Sequence, residues 1–563
     1  MLFANLTQRV PAWLLLVVIC LLAYLPSFGN QFVWDDEQFI YSNRIVREFS
    51  VGEIFSTSTT AGAGVASNYY RPLTTLSFAI DHAIWGLTPF GFHLTNTVLH
   101  ILAGLILLKL LRSLHIPKAA AFWISLFFLI HPLQTEAVVY VNSRGDSLYT
   151  FFLLAGALLF YKSFSFVTRN FFPAGIEISV SKLHLLIGSA LCFLLSILSK
   201  EIALAGIGIY GLLLLNHIFS QRNVKLALTS ARAQIITLVA LTAGLIGYLA
   251  LRFFKLSFAS EASFYAGTPY GSSLLVRLGT FCHALWEYWR LLLFPYPLHM
   301  ERTLAIPTEL TPQIVGAILI LSTVFVAGIV QWRKKQNTTM LFGLFWFLGL
   351  LVPVSGIVPI NGLMYEHWLY LPMVGFWLVL WSGMEEMIVA RKFLSTLLQF
   401  IMPVVAIIFV LLTVRQNYLW GEPERFYRYT IQYTDSARLR NNLGMTLASK
   451  GKWEEAIDAY SQAVAQSDAY PQTHHNLGNL YRKLNRTQEA EVEYRAALTL
   501  DPSFLFSYLG LFELYVEKAE YASALQVLDD VESRGINPAN LRMLRATVTT
   551  LQTASESARI KSP

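Results

Sequence analysis

Three consecutive acids, Asp35, Asp36 and Glu37, come shortly after a long apolar run, PAWLLLVVICLLAYLPSF. Unpaired carboxylates are costly beside a hydrocarbon layer, so the trio needs either water or a function. A partly desolvated carboxylate beside a second acid has a raised pKa, which suits it to accept a proton near neutral pH. The residues therefore allow two interpretations, a solvated loop edge or the general base of an enzyme.

Other ionisable residues stand in short polar motifs at the ends of further apolar runs. The motifs are NYYRPL (68–73) with Arg71, HPLQTEAV (131–138) with His131 and Glu136, NSRGD (142–146) with Arg144, Ser199-Lys200-Glu201, and YEHWLYLP (365–372) with Glu366 and His367. Charges at membrane depth usually face a cavity and pair with one another. Structural roles compete with functional ones here: a helix stop at His131, a hairpin ion pair at Lys200, a turn at Arg144 and interfacial anchors at Glu366.

The composition shows what kind of molecule must position these residues. Of 563 residues, 55% are hydrophobic and 14% charged, and the mean hydropathy is +0.50, too apolar for a soluble protein of this size. The net charge of +7 is read as loop charge that sets membrane orientation, so no nucleic-acid partner is expected. The three cysteines lie in apolar runs and indicate no disulfide framework.

The order of apolar runs predicts an all-α protein with a polytopic membrane domain over 1–415 and a soluble domain over 416–563. The predicted spans are 11–29, 93–111, 119–138, 147–164, 184–199, 201–218, 233–251, 312–331, 340–359, 367–384 and 398–415. The run 274–294 carries His283, Glu287 and Arg290 on one helical face, so it is read as an interfacial or re-entrant helix.

Orientation follows from the basic loops. With a cytoplasmic N-terminus and eleven spans, most short loops rich in Lys and Arg share one side. These loops hold Arg112, Lys118, Lys162, Arg169, Lys182, Arg222, Lys225, Arg232, Arg333, Lys334, Lys335, Arg391 and Lys392. All of the polar motifs, and the C-terminal domain, then fall on the non-cytoplasmic side. We expect a multi-pass protein of a bacterial inner membrane, or of the endoplasmic reticulum membrane if the source is eukaryotic.

The C-terminal domain contains a repeat with a period of 34 residues. Leu443, Leu477 and Leu511 share one phase, and Ala456, Ala490 and Ala524 share another. This is the tetratricopeptide (TPR) period, in which small residues let paired helices approach closely. We predict three repeats near 437–538 followed by a capping helix.

The ordered motifs resemble the transmembrane TPR-bearing O-mannosyltransferases, a family within the GT-C superfamily of membrane glycosyltransferases. The resemblance is carried by WDD (34–36), YYRPLTTLSFAID (69–81), FGFHLTNTVLHILAGLIL (90–107), HPLQTEAVVYVNSRGD (131–146), LSKE (198–201) and WLYLP (368–372), followed by the TPR units. It implies transfer of a sugar such as mannose from a polyprenyl-phosphate carrier to a hydroxyl acceptor, usually with inversion. A protein or peptide acceptor is expected, because TPR units form a concave peptide-binding surface.

The resemblance also implies roles for particular residues. An acid of the first outer loop acts as the general base, with Asp36 ranked first and Asp35 second. Arg71, Lys200 and Arg144 are candidates for the carrier phosphate, which needs cationic donors. His131, Glu136, Glu201, Glu366 and His367 are candidates for positioning sugar or acceptor. No metal site is predicted, and a divalent cation between the acidic pair and the lipid phosphate is left open.

Two other function classes compete with the enzyme. A TPR-bearing membrane scaffold would use the apolar helices as an anchor, although an anchor does not require eleven spans with ionisable groups gathered on one face. A transporter would place polar residues near mid-span or show inverted repeats, whereas these charges stand mainly at span ends.

Overall fold

The computed structural model describes residues 10–65, 67–165, 180–221, 224–254, 267–358, 360, 362–536 and 541–560. The chain divides into two compact units, Met1–Glu422 and Pro423–Pro563. The regular elements within the described residues are all helical, as the all-α prediction requires. The last helix of the first unit continues to Leu419, beyond the boundary of 415 proposed from composition.

The described part of the first unit is built from helices of very different length, with short 3₁₀ or π turns between several of them. In chain order they are α1 (Ala12–Tyr24), α2 (Arg44–Arg47), α3 (Val51–Ser56), α4 (Pro72–Trp85), α5 (Pro89–Ser113), α6 (Lys118–Ile130), α7 (Gln134–Val138), α8 (Arg144–Lys162), α9 (Val180–Ser199), α10 (Ile207–Phe219), α11 (Val224–Ser230), α12 (Arg232–Phe254), α13 (Pro269–Ser272), α14 (Leu274–Leu293), α15 (Pro312–Lys335), α16 (Thr339–Leu351), α17 (Met373–Ala390) and α18 (Lys392–Leu419).

Eight helical segments within the described residues are long and apolar enough to cross a membrane, and three shorter helices are similarly apolar. The shorter ones are α6, α16 with the turn that follows it, and most of α17. The prediction of an integral membrane protein is thereby confirmed, while the count of eleven crossings stays a prediction. Two basic residues of the orientation argument, Arg169 and Arg222, lie outside the described residues.

Helix α14, which covers the ambiguous run 274–294, contacts the same end of the bundle at both of its termini. Near its start, Arg277 Nε donates to the Gly356 carbonyl just past α16 (2.6 Å), and near its end the Leu292 carbonyl contacts His131 Nε2 just past α6 (3.1 Å). Helices α6 and α16 both begin beside one cavity at the other end, which Pro117 and Thr339 line. Helix α14 therefore lies across one end of the bundle.

Close helix contacts in the first unit depend on small residues. A Cβ atom added to Gly343 in α16 would stand 2.7 Å from the Gly375 carbonyl oxygen in α17, which is closer than real Cβ contacts allow. The glycine pair lets the two backbones touch, a common solution in membranes, where packing rather than the hydrophobic effect drives helix association.

The second unit consists of short antiparallel helices with the predicted phase. They are α19 (Pro423–Ile431), α20 (Ala437–Ser449), α21 (Trp453–Gln466), α22 (Pro471–Lys483), α23 (Thr487–Leu500), α24 (Leu505–Glu517), α25 (Tyr521–Ser533) and α26 (Leu541–Ile560). Ala456, Ala490 and Ala524 are fully buried, and the Leu443, Leu477 and Leu511 positions are also in the core. Gly478 packs against the Tyr494 ring, where an added Cβ would come within 2.8 Å. The predicted TPR solenoid is confirmed.

Candidate active site

The acidic trio forms a tight loop in which its three members differ in exposure. Asp36 is fully buried, Asp35 is half-buried and Glu37 is exposed. One Asp36 oxygen accepts from the Val33 backbone N–H (3.0 Å), and the other accepts from the Asn142 backbone N–H (2.8 Å). Asp36 thus closes its own loop and fastens it to the turn that leads into α8.

Burial raises the pKa of Asp36 to about 8, and the two amide donors offset only part of that effect. The negative charge of Asp35 adds to the increase, while the positive charge of Arg144 opposes it. The backbone N–H of Asp35 donates to the hydroxyl of Tyr140 (3.3 Å). Asp35 is therefore the more exposed member of the pair, and Asp36 is the member that holds the loop.

Arg144 is fully buried at the start of α8, and each of its three side-chain nitrogens has a partner. Its Nε donates to Asn96 Oδ1 (2.6 Å), Nη1 to the Ser77 carbonyl and hydroxyl, and Nη2 to the Phe92 carbonyl (3.0 Å). Nη2 also forms an ion pair with Asp81 Oδ2 at 2.5 Å. The guanidinium lies 4.6 Å from the centre of the Phe78 ring. Since these partners come from α4 and α5, Arg144 ties α4, α5 and α8 together.

Lys200 and Asp146 form a buried ion pair where α9 ends and α8 begins, with Nζ 2.6 Å from Oδ2. Asp146 stands one helical turn after Asn142, which holds the acidic loop. Burial lowers the pKa of the Lys200 ammonium group, against the opposing effect of Asp146. The segment that runs from Asn142 to Asp146 therefore contacts the acidic loop at one end and Lys200 at the other.

Two arginines share a single carboxylate next to this pair. Arg71 Nε lies 2.9 Å from Glu201 Oε2, and Arg252 Nη2 lies 3.9 Å from Glu201 Oε1. The Arg71 guanidinium also stacks over the Tyr69 ring at 4.6 Å. Lys200 is within electrostatic range of both Arg71 and Glu201. Three cations thus share two ion-paired carboxylates.

Glu136 and His367 form a second contact close to Lys200. Glu136 Oε1 lies 2.7 Å from His367 Nδ1, and Oε2 accepts from the His367 backbone N–H (3.0 Å). The His367 ring stacks on Tyr365, with centroids 5.4 Å apart. Lys200 lies within electrostatic range of Glu136, which links this pair to the cation group.

Glu366 belongs to a neutral network under α14. Its Oε1 contacts Arg302 Nη2 (2.5 Å), and Arg302 Nη1 reaches Glu287 Oε1 (3.0 Å), which also pairs with Arg290. Burial raises the pKa of Glu366 to about 7, although Arg302 opposes that shift. Two arginines balance two glutamates here, so this network offers no surplus charge to an anion.

His131 is also fully buried and has a partner at each ring nitrogen. Its Nδ1 accepts from the Leu133 backbone N–H (3.2 Å), and its Nε2 contacts the Leu292 carbonyl (3.1 Å). The ring packs edge-on against Phe409 at 4.5 Å. His131 therefore ends α6 and seats the end of α14, and it does not face the acidic loop with a free nitrogen.

The sequence-predicted residues lie at one end of the bundle, but they sort into four groups. Asp35 and Asp36 belong to the acidic loop. Lys200, Arg71 and Glu201 form the cation group, with Glu136 and His367 beside it. Arg144 and His131 are buried connectors. Glu366 lies in the network under α14. Within the described residues, no three His, Cys, Asp or Glu side chains are placed to hold a metal ion.

Two functional candidates were missed by sequence reasoning, Arg252 and Arg302. Arg252 directly follows the predicted span 233–251, and Arg302 follows the amphipathic helix α14. The available signal in the sequence was a charged residue at the end of an apolar helix. That signal does not identify the carboxylate with which the arginine pairs.

Comparison with known proteins supports the repeat assignment directly. A family model described as "Tetratricopeptide repeat" matches residues 471–504, and one described as "TPR repeat" matches residues 444–484.

The resemblance stated from the motifs is confirmed by curated relatives along most of the chain. Protein O-mannosyl-transferase TMTC3 of Mus musculus is 24% identical over 521 residues, covering 87% of this chain and 55% of the relative. Protein O-mannosyl-transferase F38B6.6 of Caenorhabditis elegans is 27% identical over 513 residues, covering 88% of this chain and 64% of the relative. The chain therefore spans less than two thirds of the length of these relatives.

Among solved structures, two membrane transferases align with much of the chain at low similarity. The oligosaccharyltransferase of Archaeoglobus fulgidus in the apo form has 13% identity and a TM-score of 0.40, covering 77% of this chain and 60% of that one. ArnT from Cupriavidus metallidurans, bound to undecaprenyl phosphate, has 13% identity and a TM-score of 0.35, covering 92% and 79%. Similarity at this level does not establish a shared activity.

Proposed function

We propose that this chain is a GT-C glycosyltransferase. It transfers a sugar, such as mannose, from a polyprenyl-phosphate carrier to a hydroxyl group of a protein acceptor on the non-cytoplasmic membrane face. The observation that carries the proposal is that the half-buried acid Asp35 lies at the same end of an apolar helix bundle as three cations that share two ion-paired carboxylates. The names of the relatives, protein O-mannosyl-transferases, support the same reaction class.

The two acids of the loop have different roles in the proposed reaction. Asp35 accepts the proton of the acceptor hydroxyl while that oxygen attacks the anomeric carbon of the sugar. Asp36, whose oxygens are held by two backbone amides, positions the loop and sets the local charge. The sequence ranked Asp36 first; the full burial of its side chain favours Asp35 for direct contact with the substrate.

The leaving group is the carrier phosphate, which departs with the electron pair of the broken bond between the anomeric carbon and oxygen. Direct displacement inverts the configuration at that carbon. Arg71, Arg252 and Lys200 receive the negative charge, because they outnumber their carboxylate partners. The Arg290–Glu287–Arg302–Glu366 network is already neutral and serves as support.

Glu136 and His367 stand on the other side of Lys200 and are assigned to hydroxyl groups of the sugar or acceptor. Each offers hydrogen-bonding atoms next to a cation. The TPR unit supplies a concave surface suited to a peptide acceptor. On this proposal the TPR unit lies on the same, non-cytoplasmic, side as the acidic loop.

The decisive experiment uses purified full-length protein with a panel of radiolabelled polyprenyl-phosphate sugars and peptide acceptors. Asp35→Asn should abolish measurable transfer, whereas Glu37→Gln, a change at the exposed neighbour, should leave the rate within about twofold of wild type. If Asp35→Asn and Asp36→Asn both transfer sugar at the wild-type rate, the assignment of the base is wrong. Absence of transfer from every lipid donor would favour the scaffold.

A second experiment tests the shared membrane side. Single cysteines placed at Glu37 and at Glu201 should both react with an impermeant thiol reagent from the non-cytoplasmic side, in a background whose native cysteines are replaced. Labelling of the two positions from opposite sides would rule out a single site.

A further inference from the structure

A polar cavity of about 880 Å³ lies at the end of the helix bundle remote from the acidic loop. Its ionisable lining residues are Arg112, His115, Lys162, His217, Lys335 and Glu385. Lys162 is the last residue of α8, whose first residue, Arg144, belongs to the opposite end. The glycosyltransfer mechanism above makes no use of this cavity.

An apolar groove of about 270 Å³ adjoins the polar cavity. Leu215, Phe219, Phe325 and Phe345 line it, and all four side chains are at least 40% exposed although they belong to apolar helices. Such exposure is expected of side chains that face hydrocarbon. The groove therefore opens towards the lipid that surrounds α10, α15 and α16.

The two spaces adjoin each other, because Asn216, Thr338 and Phe342 line both of them. At the junction, the Thr338 hydroxyl donates to Asn216 Oδ1 (2.5 Å), which fixes the start of α16 against α10. A molecule that fills both spaces must have a polar end and an apolar tail. This requirement describes an amphiphile and excludes a small soluble anion, which would leave the groove empty.

The charge of the lining selects the head group. Three permanently basic residues, Arg112, Lys162 and Lys335, face one acid, Glu385. Basic pockets between membrane helices favour anionic lipid head groups. We propose that the cavity and groove together bind one anionic phospholipid of the adjoining leaflet, with its head group among the basic residues and an acyl chain in the groove.

The experiment reconstitutes the full-length protein in bilayers of phosphatidylcholine with a minor fraction of phosphatidylglycerol. Native mass spectrometry then counts the phospholipids that stay bound after detergent extraction. Wild-type protein should retain one phosphatidylglycerol in preference to phosphatidylcholine. The variant Arg112→Gln/Lys162→Gln should lower that preference roughly tenfold or more, and Leu215→Trp, which fills the groove, should lower retention without loss of the basic residues.

The matched control is Lys118→Gln/Arg333→Gln, which removes the same charge from residues that do not line the cavity. This control should keep the wild-type preference. Equal retention of the two phospholipids by wild-type protein, or an equal loss in the control, would overturn the proposal. Preferential retention of added polyprenyl phosphate over phosphatidylglycerol would also overturn it, because the site would then belong to the carrier. Thermal unfolding of each variant in neutral lipid checks that the fold is intact.

Discussion

The pH dependence of transfer separates the two acids of the 33–36 loop. Burial raises the pKa of Asp36 to about 8. If Asp36 itself took the proton, only its ionised form would be active, and that fraction is about one half at pH 8, roughly one tenth at pH 7 and one hundredth at pH 6. If Asp35 takes the proton, as proposed, kcat/KM at pH 7 should stay within about threefold of its value at pH 8.

The assay follows initial rates of sugar transfer from a labelled polyprenyl-phosphate donor between pH 6 and 9, at donor concentrations well below KM. In Asp36→Asn, one backbone donor faces an amide NH₂ group in place of a carboxylate oxygen, which costs about 1–3 kcal/mol of local stability. We expect a raised KM, a retained fraction of kcat and no inflection near pH 8. A wild-type rate that falls tenfold for each pH unit below 8 would refute the assignment to Asp35.

The raised pKa of Asp36 also makes the free energy of unfolding depend on pH. Because the pKa of Asp36 in the folded protein lies above its ordinary value, the folded state favours the protonated form. The contribution of this group is therefore present at low pH and is lost as the pH rises through about 8. The free energy that this group contributes falls between its ordinary pKa of 3.8 and about 8. The hydrogen-exchange protection factor of the 33–42 segment, which corrects for the intrinsic rise of exchange with pH, should therefore fall over that range in the wild type and not in Asp36→Asn.

Three further predictions concern residues outside the acidic loop. Arg71→Gln should raise the donor KM about tenfold or more with a smaller effect on kcat, because a charge-assisted bond to the phosphate is lost; steady-state kinetics with varied donor checks this, and an unchanged KM would contradict it. Arg144→Met should cost about 3–5 kcal/mol by leaving Asp81 buried without its cation; thermal unfolding measures the loss, and Arg144→Met/Asp81→Asn should recover part of it. His474 has a carboxylate on each ring nitrogen, and the bond to Glu493 above all raises its pKa. The contribution of His474 to the free energy of unfolding is therefore full below the ordinary histidine pKa and is lost as the pH rises through the raised pKa. Hydrogen exchange of α22 should show that loss in the wild type and not in His474→Gln.

The repeat and the apolar helices were predictable because their signals are local. Leu443, Leu477 and Leu511 recur every 34 residues, and this spacing predicts where each helix pair begins. All three leucines are buried in the structure, as expected for apolar residues at these positions. The run 274–294 forms the helix α14, and its reading as an interfacial or re-entrant helix, based on charges that share one face, stays a prediction. Hydropathy along the chain contains this information without any knowledge of distant contacts.

The pairing of the charges was not predictable, because it depends on contacts between distant parts of the chain. Arg71 meets Glu201 across 130 residues, and Arg302 meets Glu366 across 64. The sequence suggested an ion pair between the neighbours Lys200 and Glu201, yet each of them turns to a partner on another helix. Residue type identified the ionisable groups, but only the packing of helix ends decided which of them share a charge.

The burial of Asp36 and Arg144 shows the same limit. Both were ranked for roles that need contact with substrate, and both are fully buried. A sequence motif does not show whether the folded loop will bury a given side chain. The half-buried Asp35 stands next to the fully buried Asp36 in the chain, just after Trp34, where the backbone has a φ of 58°.

The Arg144 cluster has a consequence for how the chain is made. Every partner of this arginine, at Ser77, Asp81, Phe92 and Asn96, precedes it in the sequence. Because synthesis starts at the N-terminus, the residues that accept hydrogen bonds from Arg144 leave the ribosome before Arg144 does. The guanidinium therefore reaches the membrane after its partners. Helices α4 and α5, which carry the partners of Arg144, are therefore synthesised before α8. This order of translation means that the Arg144 cation enters the membrane when its partners are already there.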